Sequence, residues 1–186
     1  MSEPHIQQHI IDSADWLYQS AESLAKQVHA AAQTLVTGLT GGGKVLVVGA
    51  GGGQWLAPYL VQLLVNGFER ERPPLPAVHV SVAQADLNRQ LQAMGHAGDV
   101  LVLISDDADD EAWPQLVQAS HDRDMSVVAL TGPVSAAWAR MLAETDVHLA
   151  VAHEPLARVR EVQCLVLHSL CDAIDVQLLG EQENDE

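Results

Sequence analysis

A chain of 186 residues with 48% hydrophobic residues and a mean hydropathy of +0.07 has room for one domain with a sizeable core. Twenty-five acidic residues against nine Lys and Arg give a formal net charge of −16. The few, dispersed cations form no basic patch, which excludes direct nucleic-acid binding as an expectation.

The elements follow in chain order. Ile6, Ile10, Ala14, Leu17, Ala21 and Leu24 recur at three- and four-residue intervals, and Val28, Ala31, Leu35 and Leu39 continue a second such stripe. This predicts an N-terminal helix pair within 5–40, closed by Gly41-Gly42-Gly43. Its apolar stripe needs cover from the sheet or from another subunit. A short β-branched run at 44–48 reads as the first strand, a glycine turn follows, and 55–66 reads as a helix. The prolines at 73–76 hold an extended connection. Further strands are predicted at 77–82, 100–104, 126–130 and 147–152, with helices at 84–94, 111–120, 135–143 and 155–179. Strands alternating with helices imply a parallel sheet covered on both faces. The expected organisation is one domain over 1–180, with its α/β core at 44–180 and an acidic tail at 181–186. No run reads as a membrane span, and Met1-Ser2-Glu3-Pro4-His5 is no signal peptide. A cytoplasmic protein without a membrane partner is expected.

Strand, glycine turn and helix together aim free backbone N–H groups at an anion. Gly49, Ala50, Gly51, Gly52 and Gly53 form such a turn, a degenerate phosphate loop that is expected not to hold its phosphate. After the third strand comes an acidic loop, Ser105, Asp106, Asp107, Ala108, Asp109 and Asp110. A phosphate about 5 Å from one carboxylate meets roughly 3 kcal/mol of repulsion at an effective dielectric near 20. An aspartate before a helix instead caps free N–H groups. The expectation is that Asp109 or Asp110 caps the helix at 111–120 and fills the place of an anion with its own carboxylate. Cys164 and Cys171 lie two turns apart on one helix face, too far for a disulfide. His5 and His9 have helical spacing but no third ligand nearby, so no metal or other cofactor is expected. Leu178 and Leu179 end the last helix just before the charged tail, as a partner contact or as the end of a core helix.

Several pieces carry a family resemblance across nearly the whole chain. They are Gly43-Lys44-Val45-Leu46, Asn66-Gly67-Phe68-Glu69-Arg70-Glu71-Arg72-Pro73, Gly95-His96-Ala97-Gly98-Asp99-Val100-Leu101, Val128-Ala129-Leu130-Thr131-Gly132, and Arg160-Glu161-Val162 through His168-Ser169-Leu170-Cys171-Asp172. Together they resemble the sugar isomerase (SIS) domain, in its phosphoheptose isomerase branch and in the related DnaA initiator-associating proteins. The resemblance implies a flavodoxin-like three-layer α/β sandwich and a homotetramer; for this chain the sheet would have five parallel strands, beside the N-terminal helix pair. The family's first loop reads Gly-Asn-Gly-Gly-Ser, and here Ala50 and Gly53 stand for its amide and hydroxyl. Its second loop reads Ser-Thr-Ser-Gly-Asn-Ser, where this chain has the acidic run from Ser105. In the isomerase branch a Glu and a His move a proton between neighbouring sugar carbons, and a metal can assist. By resemblance the Glu falls on Leu63, a nearby His on Tyr59, and a Gln–(x7)–His pair on Arg160 and His168. His168 is thus the one matching catalytic candidate.

The altered loops and the leucine in place of an acid lead to an expectation of a pseudoenzyme. In that reading the chain is a non-catalytic oligomeric scaffold for the initiator DnaA in DNA replication initiation. The alternatives are a phosphoheptose isomerase acting on sedoheptulose 7-phosphate and a small-molecule sensor using a remodelled pocket.

Overall fold

The computed structural model describes residues 3–81, 87–106, 113–133 and 138–181. Helix α1 (Glu3–Thr40) leads into strand β1 (Val45–Ala50), followed by α2 (Leu56–Asn66) and β2 (Ala77–His79). Then come α3 (Leu87–Met94), β3 (Val100–Ser105), α4 (Trp113–His121), β4 (Ser126–Thr131), α5 (Trp138–Met141), β5 (Val147–Ala150) and α6 (Leu156–Leu179). The five strands form one sheet in the order β2-β1-β3-β4-β5. Every pairing is parallel, as the sequence pattern implies.

All six positions of β1 and of β3 are buried, because a parallel sheet is covered on both faces. The strand alternation divides their side chains between two cores. Val45, Val47, Val100, Val102 and Ile104 pack with α1, α2 and α6. Leu46, Val48, Leu101 and Leu103 pack on the opposite face with α3 and α4. The result is the expected three-layer α/β sandwich.

The N-terminal helix pair is in fact one helix of 38 residues. Neither proline nor glycine occurs between Ile6 and Thr37 to break it. What changes along it is burial: Leu24, Val28, Ala31, Ala32 and Leu35 enter the core, whereas Ile6, Ile10 and Tyr18 are exposed. Gln27 of the same helix accepts the Ala150 N–H at 3.0 Å, covering the edge strand β5. The strand predicted at 77–82 is described to His79, and that predicted at 147–152 ends at Ala150. Residues 82–86, 107–112 and 134–137 lie outside the described residues, and with them the starts of three predicted helices.

By length and composition α6 does reach the apolar span of a membrane helix, with a hydropathy of 1.4 in its best window. That amends the expectation that no run does. In this fold it is a core helix that buries Gln163 and Asp175 among its apolar side chains.

The Glu69-Arg70-Glu71-Arg72-Pro73 segment closes two helix ends at once. Arg72 donates from Nη1 to the Leu64 carbonyl at 2.7 Å and from Nη2 to the Leu63 carbonyl at 3.1 Å, at the end of α2. Its Nε meets Asp175 Oδ1 of α6 at 2.5 Å, with both side chains almost fully buried. Arg70 donates to the Gly180 carbonyl beyond the end of α6 at 2.8 Å. Free C-terminal carbonyls and a cation suit one another. At the amino ends of β1 and β3, Asp99 accepts from the Lys44 ammonium at 2.6 Å and from the Lys44 and His96 N–H groups at 2.8 Å each. Burial raises its carboxyl pKa, but the hydrogen bonds and charge opposing that effect hold it below its ordinary value.

Removing one member of a buried ion pair strands the other charge. Arg72→Met should therefore destabilise the fold by about 3–5 kcal/mol in urea unfolding, and Arg72→Met with Asp175→Leu by much less. A carboxylate with a depressed folded pKa stabilises above its unfolded value, about 3.9, and loses that stabilisation as pH falls through the folded value. Asp99→Asn should lower the thermal midpoint at pH 7, and the gap from wild type should narrow as melts are taken below about pH 4.

Candidate functional site

In an open parallel sheet, ligands bind at the carboxyl ends of the strands, where the chain order reverses. In the order β2-β1-β3-β4-β5 that point lies between β1 and β3. From the end of β1 a single 3-10 turn over Gly51–Trp55 leads into α2. Gly51 takes a φ of +55°, a left-handed value that favours glycine. From the end of β3, Asp106 reaches back across the crevice. Its Oδ1 accepts the Gly52 N–H at 2.8 Å. Its Oδ2 lies 2.6 Å from Arg160 Nε and 2.5 Å from Arg160 Nη2. A Cβ on Gly52 would strike both the carboxylate and the guanidinium, so the close approach requires glycine here. The Asp106 side chain is 3% exposed and that of Arg160 42%: the anion sits behind, and the cation faces solvent.

Arg160, Cys164 and His168 succeed one another at four-residue steps along one ridge of α6. Gln163 donates to the Ser105 carbonyl at 2.8 Å, a second tie between this helix and the end of β3. Further down the ridge, His168 Nε2 lies 2.7 Å from the Tyr59 hydroxyl of α2. The donor in this pair is set by the imidazole tautomer. Phe68 stacks on the same imidazole at a centroid separation of 5.1 Å. Cys164 Sγ is 4.0 Å from Nε2, and burial raises its thiol pKa. The Cys171 thiol is pushed up to about 12 by burial, with the Asp175 charge adding and Arg72 opposing. Both cysteines are free, and such thiols are poor nucleophiles.

The sequence-derived candidates therefore divide. Gly49, Ala50, Gly51, Gly52 and Gly53 gather with Ser105, Asp106 and Arg160 at the switch point. Tyr59 and His168 come together on the facing helices. Leu63, one turn beyond Tyr59, is buried, and its carbonyl is taken by Arg72 and Gly67. Leu178 packs against the core, while Leu179 is exposed. Asp107, Asp109 and Asp110 lie outside the described residues, and so does the capping role expected of Asp109 or Asp110. The contacts that sequence reasoning missed are the two long-range pairs, Asp106–Arg160 and Tyr59–His168. No local signal marks them, because their partners are 54 and 109 residues apart.

A model of the SIS domain matches residues 8–132. The chain belongs to the SIS domain family. A relative from Methylibium petroleiphilum named phosphoheptose isomerase is 42% identical over 98% of both chains. Among solved structures, a phosphoheptose isomerase from Francisella tularensis superposes with a TM-score of 0.82 at 32% identity, covering 94% of this chain and 99% of that chain. The phosphoheptose isomerase of Neisseria gonorrhoeae gives 0.81 at 30% identity, covering 93% and 98%.

These likenesses overturn the expectation of a non-catalytic DnaA scaffold in replication initiation, and with it the pseudoenzyme label. Full-length relatives carry an isomerase name, and none of these comparisons points to an initiator partner. The expectation weighed each ligand position of the SIS domain separately. It treated Asp106 as uncompensated charge, whereas the Arg160 guanidinium neutralises it.

Proposed function

We propose that this SIS domain is a phosphoheptose isomerase acting on sedoheptulose 7-phosphate. The observation that carries the reading is the near end-to-end likeness to relatives and structures of that name. Isomerisation moves a proton between the first two sugar carbons and another between their oxygens. Such transfers need titratable groups within hydrogen-bond reach of the substrate. In this chain His168 exchanges the carbon-bound proton. Tyr59, hydrogen-bonded to it, serves the sugar oxygens. Leu63, in the position of the family's acid, has no proton to give.

The metal that can assist in this family does not fit the residues here. Tyr59, Leu63, Arg160 and His168 offer one imidazole, and among the described residues no three His, Cys, Asp or Glu side chains converge.

The proposal extends to a single domain over 1–180 that forms a homo-oligomer, a tetramer by family resemblance, in the cytoplasm. Supporting association is an apolar cleft of about 390 Å³ between α1 and α6, lined by Leu17, Ala21, Leu24, Val28, Leu165 and Ala173. Ile6, Ile10 and Tyr18 of the same helix are exposed as well. Free thiols suit a reducing compartment.

Purified protein should convert sedoheptulose 7-phosphate. Tyr59→Phe and His168→Asn should each lower kcat by about 10²–10⁴-fold with the circular dichroism spectrum unchanged. A wild-type protein without turnover would overturn the assignment. Light scattering should give a multiple of the 20.0 kDa chain mass; a monomer at all concentrations would remove the oligomer.

A further inference from the structure

The site as read so far has an acid–base pair but lacks the hydroxyl and amide side chains that would hold a phosphate. Ala50 and Gly53 have no donors of that kind. Building on the isomerase reading, we propose that Arg160 takes the terminal phosphate of the sugar and selects for it, with Asp106 as the positioning residue behind it.

Three observations support the assignment. Arg160 is the solvent-facing half of its pair, and Asp106 is the buried half. The guanidinium meets Asp106 through Nε and Nη2, leaving Nη1 without a partner among the described residues. A planar, always-charged fork held on one edge is suited to donate to phosphate oxygens on the other. The neighbouring Arg158 is already engaged with Glu161 at 2.7 Å.

The second observation is place. Arg160 lies over Gly52, at the reversal of strand order, and the Gln163–Ser105 bond steadies the helix turn that carries it.

The third is span. Arg160 and His168 are eight residues apart on α6, about 12 Å along the helix axis. An extended sugar advances about 1.2 Å per bond, so C2 and the phosphorus of a seven-carbon 7-phosphate lie roughly 8 Å apart. Side-chain reach covers the difference. A phosphate on the carbon beside the reacting pair would leave Arg160 out of range.

Calorimetry with sorbitol 6-phosphate, which has no carbonyl and cannot isomerise, tests the assignment on the full chain. The wild type should bind it, and inorganic phosphate should compete where free sorbitol does not. Arg160→Met should weaken binding at least tenfold, and Arg160→Lys less. Since Arg160→Met strands a buried carboxylate, the double variant Asp106→Asn/Arg160→Met is measured alongside it and should show the same loss. If a folded double variant bound as tightly as wild type, Arg160 would be a structural tie only, and the proposal would fall. It would fall equally if the wild type did not bind the probe. Because the probe is never turned over, Arg160-dependent binding without isomerase activity would reject the isomerase reading and leave the phosphate assignment standing.

Discussion

Arg72 is a charged side chain almost without solvent contact, and it holds together the two helices on which the candidate chemistry stands. Its guanidinium closes the last carbonyls of α2 and meets Asp175 near the C-terminal end of α6. Tyr59 belongs to the first of these helices and His168 to the second. Their 2.7 Å contact depends on the axial register of the pair, and apolar packing alone permits slippage between smooth helix faces. A buried ion pair with directed hydrogen bonds contributes little net stability but penalises every other register.

At the other end of the same helix pair, electrostatics takes over from packing. A carboxylate beneath a guanidinium makes a neutral pair in a chain of strongly negative net charge. The glycine turn keeps the backbone geometry of an anion cradle, with one of its N–H groups already occupied by Asp106. Within the SIS frame the Asp106–Arg160 ion pair lies against the glycine turn. A cation fixed by a buried partner needs little reorganisation when an anion arrives, which is the property that makes preorganised charge effective.

Much of the fold was legible in the residues. The β-branched runs at 45–48, 100–104 and 126–130, each bounded by turn residues, had no competing reading, and the alternation with helices implied the parallel sheet. The break expected in α1 had no signal behind it: the apolar stripe runs on from Leu24 to Val28 at helical spacing, and only its burial changes along the helix. The glycine turn was legible as a site, since glycine reports backbone geometry locally. The meaning of Asp106 and Arg160 was not. Each was judged at its own position, one as a repulsive charge and one as a lost amide, and a salt bridge across 54 residues has no local signature. Tyr59 was likewise set aside as a missing histidine, although a phenol beside an imidazole retains proton chemistry.

The long first helix has one further consequence. Residues 3–12 are all exposed, so roughly 15 Å of rod is held by its own backbone bonds and little else. An isolated stretch of that length is marginal in water, and its amides open by fraying, at a free energy far below that of the sheet. Hydrogen exchange in these first turns is therefore uncoupled from global unfolding. Its rate reports whether another surface lies against them.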